Sequence, residues 1–218
     1  MTISPVDFAS LLCSRLCHDL LSPVGALNNG LELLADETDP AMRERCMTLL
    51  ADSARTSANK LKFYRLAFGA GGGLGEMLDP GEARQAIEGL LSDARRTTLG
   101  WLVEAPLLPK ASVKALLNLV LIANEALVRG GSLDVGAEAG AEGALEIVVR
   151  IAGPRILLDP SIRTMLVEGP VNDEIGARGA AAFLVHTLAT QAGGAVMVSE
   201  PAEGVMMLGA LMRFPDQG

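Results

Sequence analysis

Residues 16–23 read Leu-Cys-His-Asp-Leu-Leu-Ser-Pro and lie within a long apolar repeat of helical period. The repeat follows Ser4-Pro5, a typical helix start in which Ser4 serves as N-cap and Pro5 takes the first helical position. The pattern predicts one helix of about 31 residues, roughly 46 Å long. Its single apolar stripe consists of Phe8, Leu12, Leu16, Leu20, Leu27, Leu31 and Leu34.

A second helix is predicted from Asp39-Pro40, which repeats the same start signal. The connection is short, so the two helices are expected to form an antiparallel hairpin. A hairpin buries only one side of each helix, and a second copy of the chain would complete a four-helix bundle. We therefore predict a homodimer, with coverage by the rest of the chain as the alternative. The second stripe consists of Met42, Cys46, Leu49, Leu50, Ala54, Ala58, Leu61, Tyr64 and Phe68.

Residues 69–75 contain five glycines in seven positions and predict a linker between a hairpin domain, 1–68, and a second domain, 76–218. Their spacing does not fit a phosphate-binding glycine loop. The second domain alternates helical and strand patterns, which predicts an α/β sandwich with helices on one face of a mixed sheet, and an α+β chain as a whole. The predicted helices are 80–95, 110–128, 161–167 and 176–191, and the predicted strands are 98–105, 132–138, 144–151, 195–199 and 205–214.

The composition excludes several classes of partner. The net charge is −8, and a nucleic-acid-binding protein needs a basic surface that this chain lacks. The longest uncharged run, 179–199, is interrupted by Gly193-Gly194 and polar residues, so we predict no membrane segment. Three cysteines and no signal-peptide pattern at the start predict a reducing, cytoplasmic location without a disulfide framework.

His18 lies two residues from both Leu16 and Leu20, about 200° around the helix, and should face away from the apolar stripe. An exposed histidine is often only a solvated residue. Pro23, however, removes a helical hydrogen bond and frees the carbonyl of Asp19, which destabilises the helix by about 3 kcal/mol. A proline at that cost, one turn from an exposed histidine, suggests that the segment has a function. The neighbouring strip, which is mostly small or polar, is a candidate partner surface and consists of Ser14, Arg15, Ser22, Gly25 and Asn29.

A metal site is a second reading of the same segment. Cys13 and Cys17 are four residues apart and, with His18, offer three possible metal ligands. No fourth ligand is evident, because His186 is on a distant helix. We therefore favour small buried cysteines, no metal, and an ordinary helical His186.

The spacing of His18, Asp19, Leu20 and Pro23 resembles the dimerisation and histidine-phosphotransfer hairpin of bacterial sensor kinases. The resemblance implies that His18 is phosphorylated and that Asp19 assists proton transfer, with a raised basicity of the imidazole as the alternative role. Adjacent helical residues point about 100° apart, so we expect contact between Asp19 and the imidazole to be oblique at best.

The second domain resembles the ATP-binding domain of histidine kinases in residues 191–201, Gly204, Phe214-Pro215 and 116–119. Its departures fall at the positions that hold ATP. Ile151 replaces the aspartate that recognises adenine, Ile122 replaces a metal-binding asparagine, and Arg155 replaces a glycine. Residues 176–182 are alanine-rich where the family has glycines. The resemblance therefore implies a retained fold, a lost ATP site and no cofactor of its own.

Together these features resemble the histidine phosphotransferases of the alphaproteobacterial cell-cycle phosphorelay. The resemblance implies that His18 takes phosphate from a receiver aspartate of a hybrid kinase and passes it to response regulators of the CtrA and CpdR type. Mg²⁺ is expected from the receiver domain. Arg155 and Arg178 are candidates for an added receiver contact. The alternatives are an ATP-dependent histidine kinase and a non-catalytic dimeric adaptor.

Overall fold

The computed structural model describes residues 3–69, 77–92, 96–140, 143–170 and 176–214. Helices α1 (Pro5–Asp36) and α2 (Pro40–Ala67) form the predicted antiparallel hairpin. Both predicted starts are confirmed, because the Ser4 hydroxyl accepts from the Asp7 N–H and the Asp39 carboxylate accepts from the Ala41 N–H. The helices approach closely at Gly30, where an added Cβ would lie 3.0 Å from a methyl carbon of Leu50.

The remaining chain builds a five-stranded mixed sheet, as predicted. Its strands are β2 (Thr97–Val103), β4 (Gly131–Ala139), β5 (Ala144–Ala152), β6 (Ala195–Val198) and β7 (Val205–Arg213). Their order is β2-β4-β5-β7-β6, and β2 is parallel to β4 while the other neighbours are antiparallel. The sequence did not predict β1 (Met77–Leu78) and β3 (Leu108–Pro109), which pair with each other, because two residues are too few to show a period.

One face of the sheet carries the core. Alternate residues of β5, Ile147, Val149 and Ile151, are fully buried, while Val148 and Arg150 between them are exposed. The helices that complete the predicted sandwich are α3 (Pro80–Leu91), α4 (Lys110–Ala126), α5 (Pro160–Val167) and α6 (Gly179–Gln191). Helix α4 is buried on nearly every side, which fits its long apolar sequence.

The base of the hairpin shares this core. Phe63 and Tyr64 near the end of α2 are buried in the same cluster as α4, and the ring of Phe8 in α1 packs on Phe183 of α6 at 5.1 Å between centroids. The second part thus covers one end of the hairpin, as the alternative to dimerisation supposed. Apart from Gly69, the predicted linker lies outside the described residues.

The rest of the hairpin keeps large apolar side chains exposed. Met42, Leu49 and Leu61, which belong to the predicted apolar stripe of α2, are at least 40% exposed in the single chain. A single helix partner covers a narrower face than this stripe occupies. The exposed apolar side chains of α1 and α2 are Val6, Leu21, Val24, Leu31, Leu33, Met42, Met47, Leu49 and Leu61. Among the described segments, no helix has the length and apolar character of a membrane span.

Candidate phosphotransfer site

His18 projects from the middle of α1 into solvent, and its side chain is 72% exposed. This position agrees with its predicted placement opposite the apolar stripe. Its Nδ1 lies 3.1 Å from Oδ1 of Asp19. The contact that we expected to be oblique is therefore a hydrogen bond.

Asp19 is a carboxylate with several donors. Its Oδ2 accepts from Nε of Arg15 at 2.6 Å and from the hydroxyl of Tyr64. Burial acts to raise the pKa of Asp19, but the hydrogen bonds from Tyr64, His18 and Arg15 outweigh it and hold the pKa below the ordinary value. An ionised carboxylate only accepts hydrogen bonds. The proton of a neutral His18 ring is therefore on Nδ1, and Nε2 keeps a free electron pair toward solvent.

Arg15 differs from its expected place on the open strip. Its side chain is only 4% exposed, and it donates to Asp19 and to the carboxylate of Glu125, which belongs to α4. The expectation of an exposed Arg15 is wrong because its guanidinium is buried between the carboxylates of Asp19 and Glu125. Burial acts to lower the pKa of Arg15, yet the charges and hydrogen bonds of Glu125 and Asp19 raise it.

Pro23 leaves the carbonyl of Asp19 without its helical donor, and the ammonium of Lys60 fills that role at 2.9 Å. The cost of the proline is thus offset at the residue next to His18. Sequence reasoning missed Lys60, although the turn near residue 39 places residue 60 across from residue 19. Tyr64 lies one turn further along α2, on the same face.

Glu125 was also missed, and no local pattern could have revealed it. It lies 110 residues from Arg15 and reaches it only because the second part packs against the hairpin.

Tyr64 is buried, and its pKa is raised by burial and by the hydrogen bond that it donates to Asp19.

A cavity of about 480 Å³ lies beside His18, between α1 and the second part of the chain. Ile122 and residues 176–179 line it, and these are the segments that the kinase resemblance assigns to ATP binding. Ile151, the replacement for the adenine-binding aspartate, is fully buried in the sheet. Arg178 lines the cavity, whereas Arg155 is exposed elsewhere. The other charged groups in the lining are Arg15, Glu125 and Asp159.

The remaining predicted strip residues lie on the accessible side of α1. Ser14, Ser22 and Asn29 are exposed, and Gly25 is half-buried. An added Cβ at Gly25 would meet no atom within 4 Å, so this part of the strip is open. The open strip beside His18 is therefore Ser14, Ser22, Gly25 and Asn29, without Arg15.

The cysteines differ in part from expectation. Cys46 is buried, but Cys13 and Cys17 are exposed, so the expectation of small buried residues is wrong for these two. In the part of the chain that the structure describes, no three His, Cys, Asp or Glu side chains are placed to hold a metal ion. Nδ1 of His186 lies 3.1 Å from the Leu166 carbonyl and links α6 to the end of α5, a structural role.

Comparison with known proteins gives the family. The family model described as "Histidine phosphotransferase C-terminal domain" matches residues 80–204. Protein phosphotransferase ChpT of Brucella abortus (strain 2308) is 37% identical over 207 residues, which are 94% of this chain and 96% of that protein. A solved structure of a bacterial phosphotransferase superposes with a TM-score of 0.84 at 34% identity, covering 96% of this chain and 98% of that one. The chain therefore belongs to the histidine phosphotransferase family.

Proposed function

We propose that His18 is the covalent site of a phosphorelay. The ring accepts a phosphoryl group from the aspartyl phosphate of a hybrid-kinase receiver domain and passes it to the receiver aspartate of a response regulator, of the CtrA or CpdR type. The observation that carries the proposal is an exposed imidazole whose Nδ1 is held by an ionised Asp19, in a chain of the histidine phosphotransferase family.

The chemistry needs no proton transfer. Nε2 of His18 attacks phosphorus, the new P–N bond forms, and the acyl-phosphate P–O bond breaks with its electron pair on the leaving carboxylate. The ring becomes an N-phosphoryl imidazolium whose proton stays on Nδ1, opposite the Asp19 carboxylate. Asp19 thus stabilises the positive charge that develops in the ring, and delivery to the next receiver reverses the same steps. The receiver's own Mg²⁺ is expected to neutralise the phosphoryl oxygens.

Docking of the receiver is proposed on the open strip. Its small side chains allow a second backbone to approach His18 closely. A Gly25→Trp change should stop transfer from a phosphorylated receiver domain, while open space at this position should leave folding unchanged. Phosphorylation by phosphoramidate, a donor small enough to need no docking, is the control and should survive. Normal transfer from the receiver would place docking elsewhere.

The chain is proposed to work without ATP. Ile122 and Ile151 present only hydrocarbon where the kinase resemblance requires a metal ligand and an adenine acceptor, which supports this proposal. The competing function is an ATP-dependent histidine kinase, and the third is an adaptor that binds receivers without chemistry. Three unpaired cysteines support a reducing, cytoplasmic setting for the relay.

The test is a label-transfer assay on the purified chain. The wild type and His18→Ala are each incubated with labelled ATP alone, and then with a labelled, phosphorylated receiver domain. We expect acid-labile label on the wild type from the receiver only, and none on the variant. Label from ATP alone would identify a kinase, and absence of label from both donors would favour the adaptor.

A further inference from the structure

The second part of the chain contributes a charged group to the surroundings of His18. The guanidinium of Arg15 lies between two carboxylates, with Nε on Asp19 of its own helix and a terminal nitrogen on Glu125 of α4. Asp19 in turn contacts the His18 ring. Glu125, Arg15, Asp19 and His18 thus form a continuous chain of polar contacts between the two parts of the molecule.

The two oxygens of Asp19 have separate duties. Oδ2 accepts hydrogen bonds from Arg15 and Tyr64, whereas Oδ1, among the described contacts, accepts one only from the imidazole. Arginine binds a carboxylate best in a bidentate fork that occupies both oxygens. In this site the fork is incomplete, because Glu125 occupies the terminal nitrogen that would otherwise turn toward Oδ1.

We propose that Glu125 is a positioning residue for phosphotransfer: by holding Arg15 to one oxygen of Asp19, it keeps the other oxygen on Nδ1 of His18 and so leaves Nε2 free to attack phosphorus. The inference rests on the proposed function of His18. It gives the second part of the chain a role in the chemistry that does not involve ATP.

Loss of the Glu125 charge has a defined consequence. Arg15 is almost fully buried, and beside a neutral glutamine at position 125 the carboxylate of Asp19 is the stronger acceptor for the terminal nitrogen of Arg15. Arg15 then binds both oxygens of Asp19, and Oδ1 no longer accepts a hydrogen bond from the His18 ring. The proton of the neutral imidazole is therefore no longer held on Nδ1. The other titratable and charged groups near the site are expected to keep their places: Lys60 and Tyr64 on α2, and Asp159 and Arg178 in the cavity lining.

The test compares Glu125→Gln with Glu200→Gln. Glu200 also pairs with an arginine, Arg163, but it lies outside the cavity lining, so its loss is the matched control. Nitrogen-15 NMR of the imidazoles reports which ring nitrogen carries the proton. The chain has only two histidines, and His186, held by the Leu166 carbonyl, is an internal reference. Phosphorylation by phosphoramidate reports the reactivity of His18 without receiver docking.

In Glu125→Gln we expect His18 to shift toward the Nε2-protonated form and to be phosphorylated about five- to tenfold more slowly, the factor for one ordinary hydrogen bond. Glu200→Gln should match the wild type in both measurements, and His186 should not change. Wild-type behaviour of Glu125→Gln would overturn the proposal, as would a slower rate without the tautomer shift or the shift without a slower rate.

Two further variants keep the result interpretable. If Glu125→Gln does not fold, Glu125→Asp retains the charge and withdraws it by one methylene, and the same two measurements apply with the same expected directions. His18→Ala distinguishes failure of the proposed function from failure of the role given to Glu125. Phosphorylation of that variant would refute the proposed function, whereas its loss beside an unaffected Glu125→Gln would refute only the role of Glu125.

Discussion

Tyr64 is the only tyrosine in the chain, so its ionisation can be followed by absorbance without interference from other phenols. Its hydroxyl donates to Asp19 and its ring packs on Phe63 and Phe68. Burial and the hydrogen bond to a negative carboxylate both raise its pKa above the ordinary value of 10. A tyrosine of this kind reports directly on the charge of the group that contacts His18.

We expect the absorbance change at 295 nm in the native protein to have its midpoint above pH 10. Asp19→Asn removes the negative charge beside the Tyr64 hydroxyl and should lower the midpoint. Asp52→Asn is the control, because Asp52 forms an exposed ion pair with Arg55, and this change should leave the midpoint where it is. The folded state binds the Tyr64 proton more tightly than the unfolded chain does. The contribution of the Tyr64 proton to the stability of the fold is therefore present below pH 10 and is lost as the pH rises through the raised pKa of Tyr64.

Circular dichroism recorded at each pH shows whether the fold persists during this titration. An ordinary midpoint in a folded wild-type protein would contradict the hydrogen bond to Asp19. An unchanged midpoint in Asp19→Asn would show that burial alone sets the pKa of Tyr64.

At the scale of helices, Pro23 and Lys60 form one unit. The proline removes the donor to the Asp19 carbonyl, and the lysine of the facing helix replaces it. Lys60→Met leaves that carbonyl unpaired and should lower the free energy of unfolding by about 1–3 kcal/mol. In a Pro23→Ala background the restored N–H donates to the Asp19 carbonyl, so the same lysine change should cost less.

Urea unfolding of the four proteins in this cycle measures the coupling. Lys62→Met is the control, because Lys62 is exposed on the same helix and should change stability by less than about 0.5 kcal/mol. Equal costs of Lys60→Met in the proline and alanine backgrounds would show that the two residues act independently. Such a result would remove the structural explanation for a proline inside α1.

The helices were predictable because their signals are local. Ser4-Pro5 and Asp39-Pro40 cap α1 and α2 where the sequence indicated, and the position of His18 follows from the helical period alone. The family resemblance pointed to Asp19, but its hydrogen bond to the ring was expected to be only an oblique contact. Arg15 was misplaced, and Glu125 was missed, because their contact joins elements 110 residues apart. A periodic pattern describes one element and carries no information about which distant charge will face it.

For the whole molecule, the exposed apolar face of the hairpin raises the question of assembly. The second part of the chain buries the base of the hairpin, yet Leu31 on α1 and Leu61 on α2 remain 57% and 54% exposed. Val24 lies one heptad from Leu31, and Met47 lies two heptads from Leu61, so the two residues of each pair share one side of their helix. A second hairpin would cover both sides and form the four-helix bundle that we propose for the dimer.

Light scattering should therefore give twice the chain mass of 22.7 kDa. Leu31→Glu would bury two charges in a symmetric interface, one from each copy, and should weaken dimerisation at least about 100-fold. Leu102→Glu is the matched control, because Leu102 is equally apolar and exposed but lies on β2, away from the hairpin. The melting temperature of the wild type should rise with concentration, since dissociation accompanies unfolding. A wild type that stays monomeric at every concentration would mean that the hairpin needs no second copy.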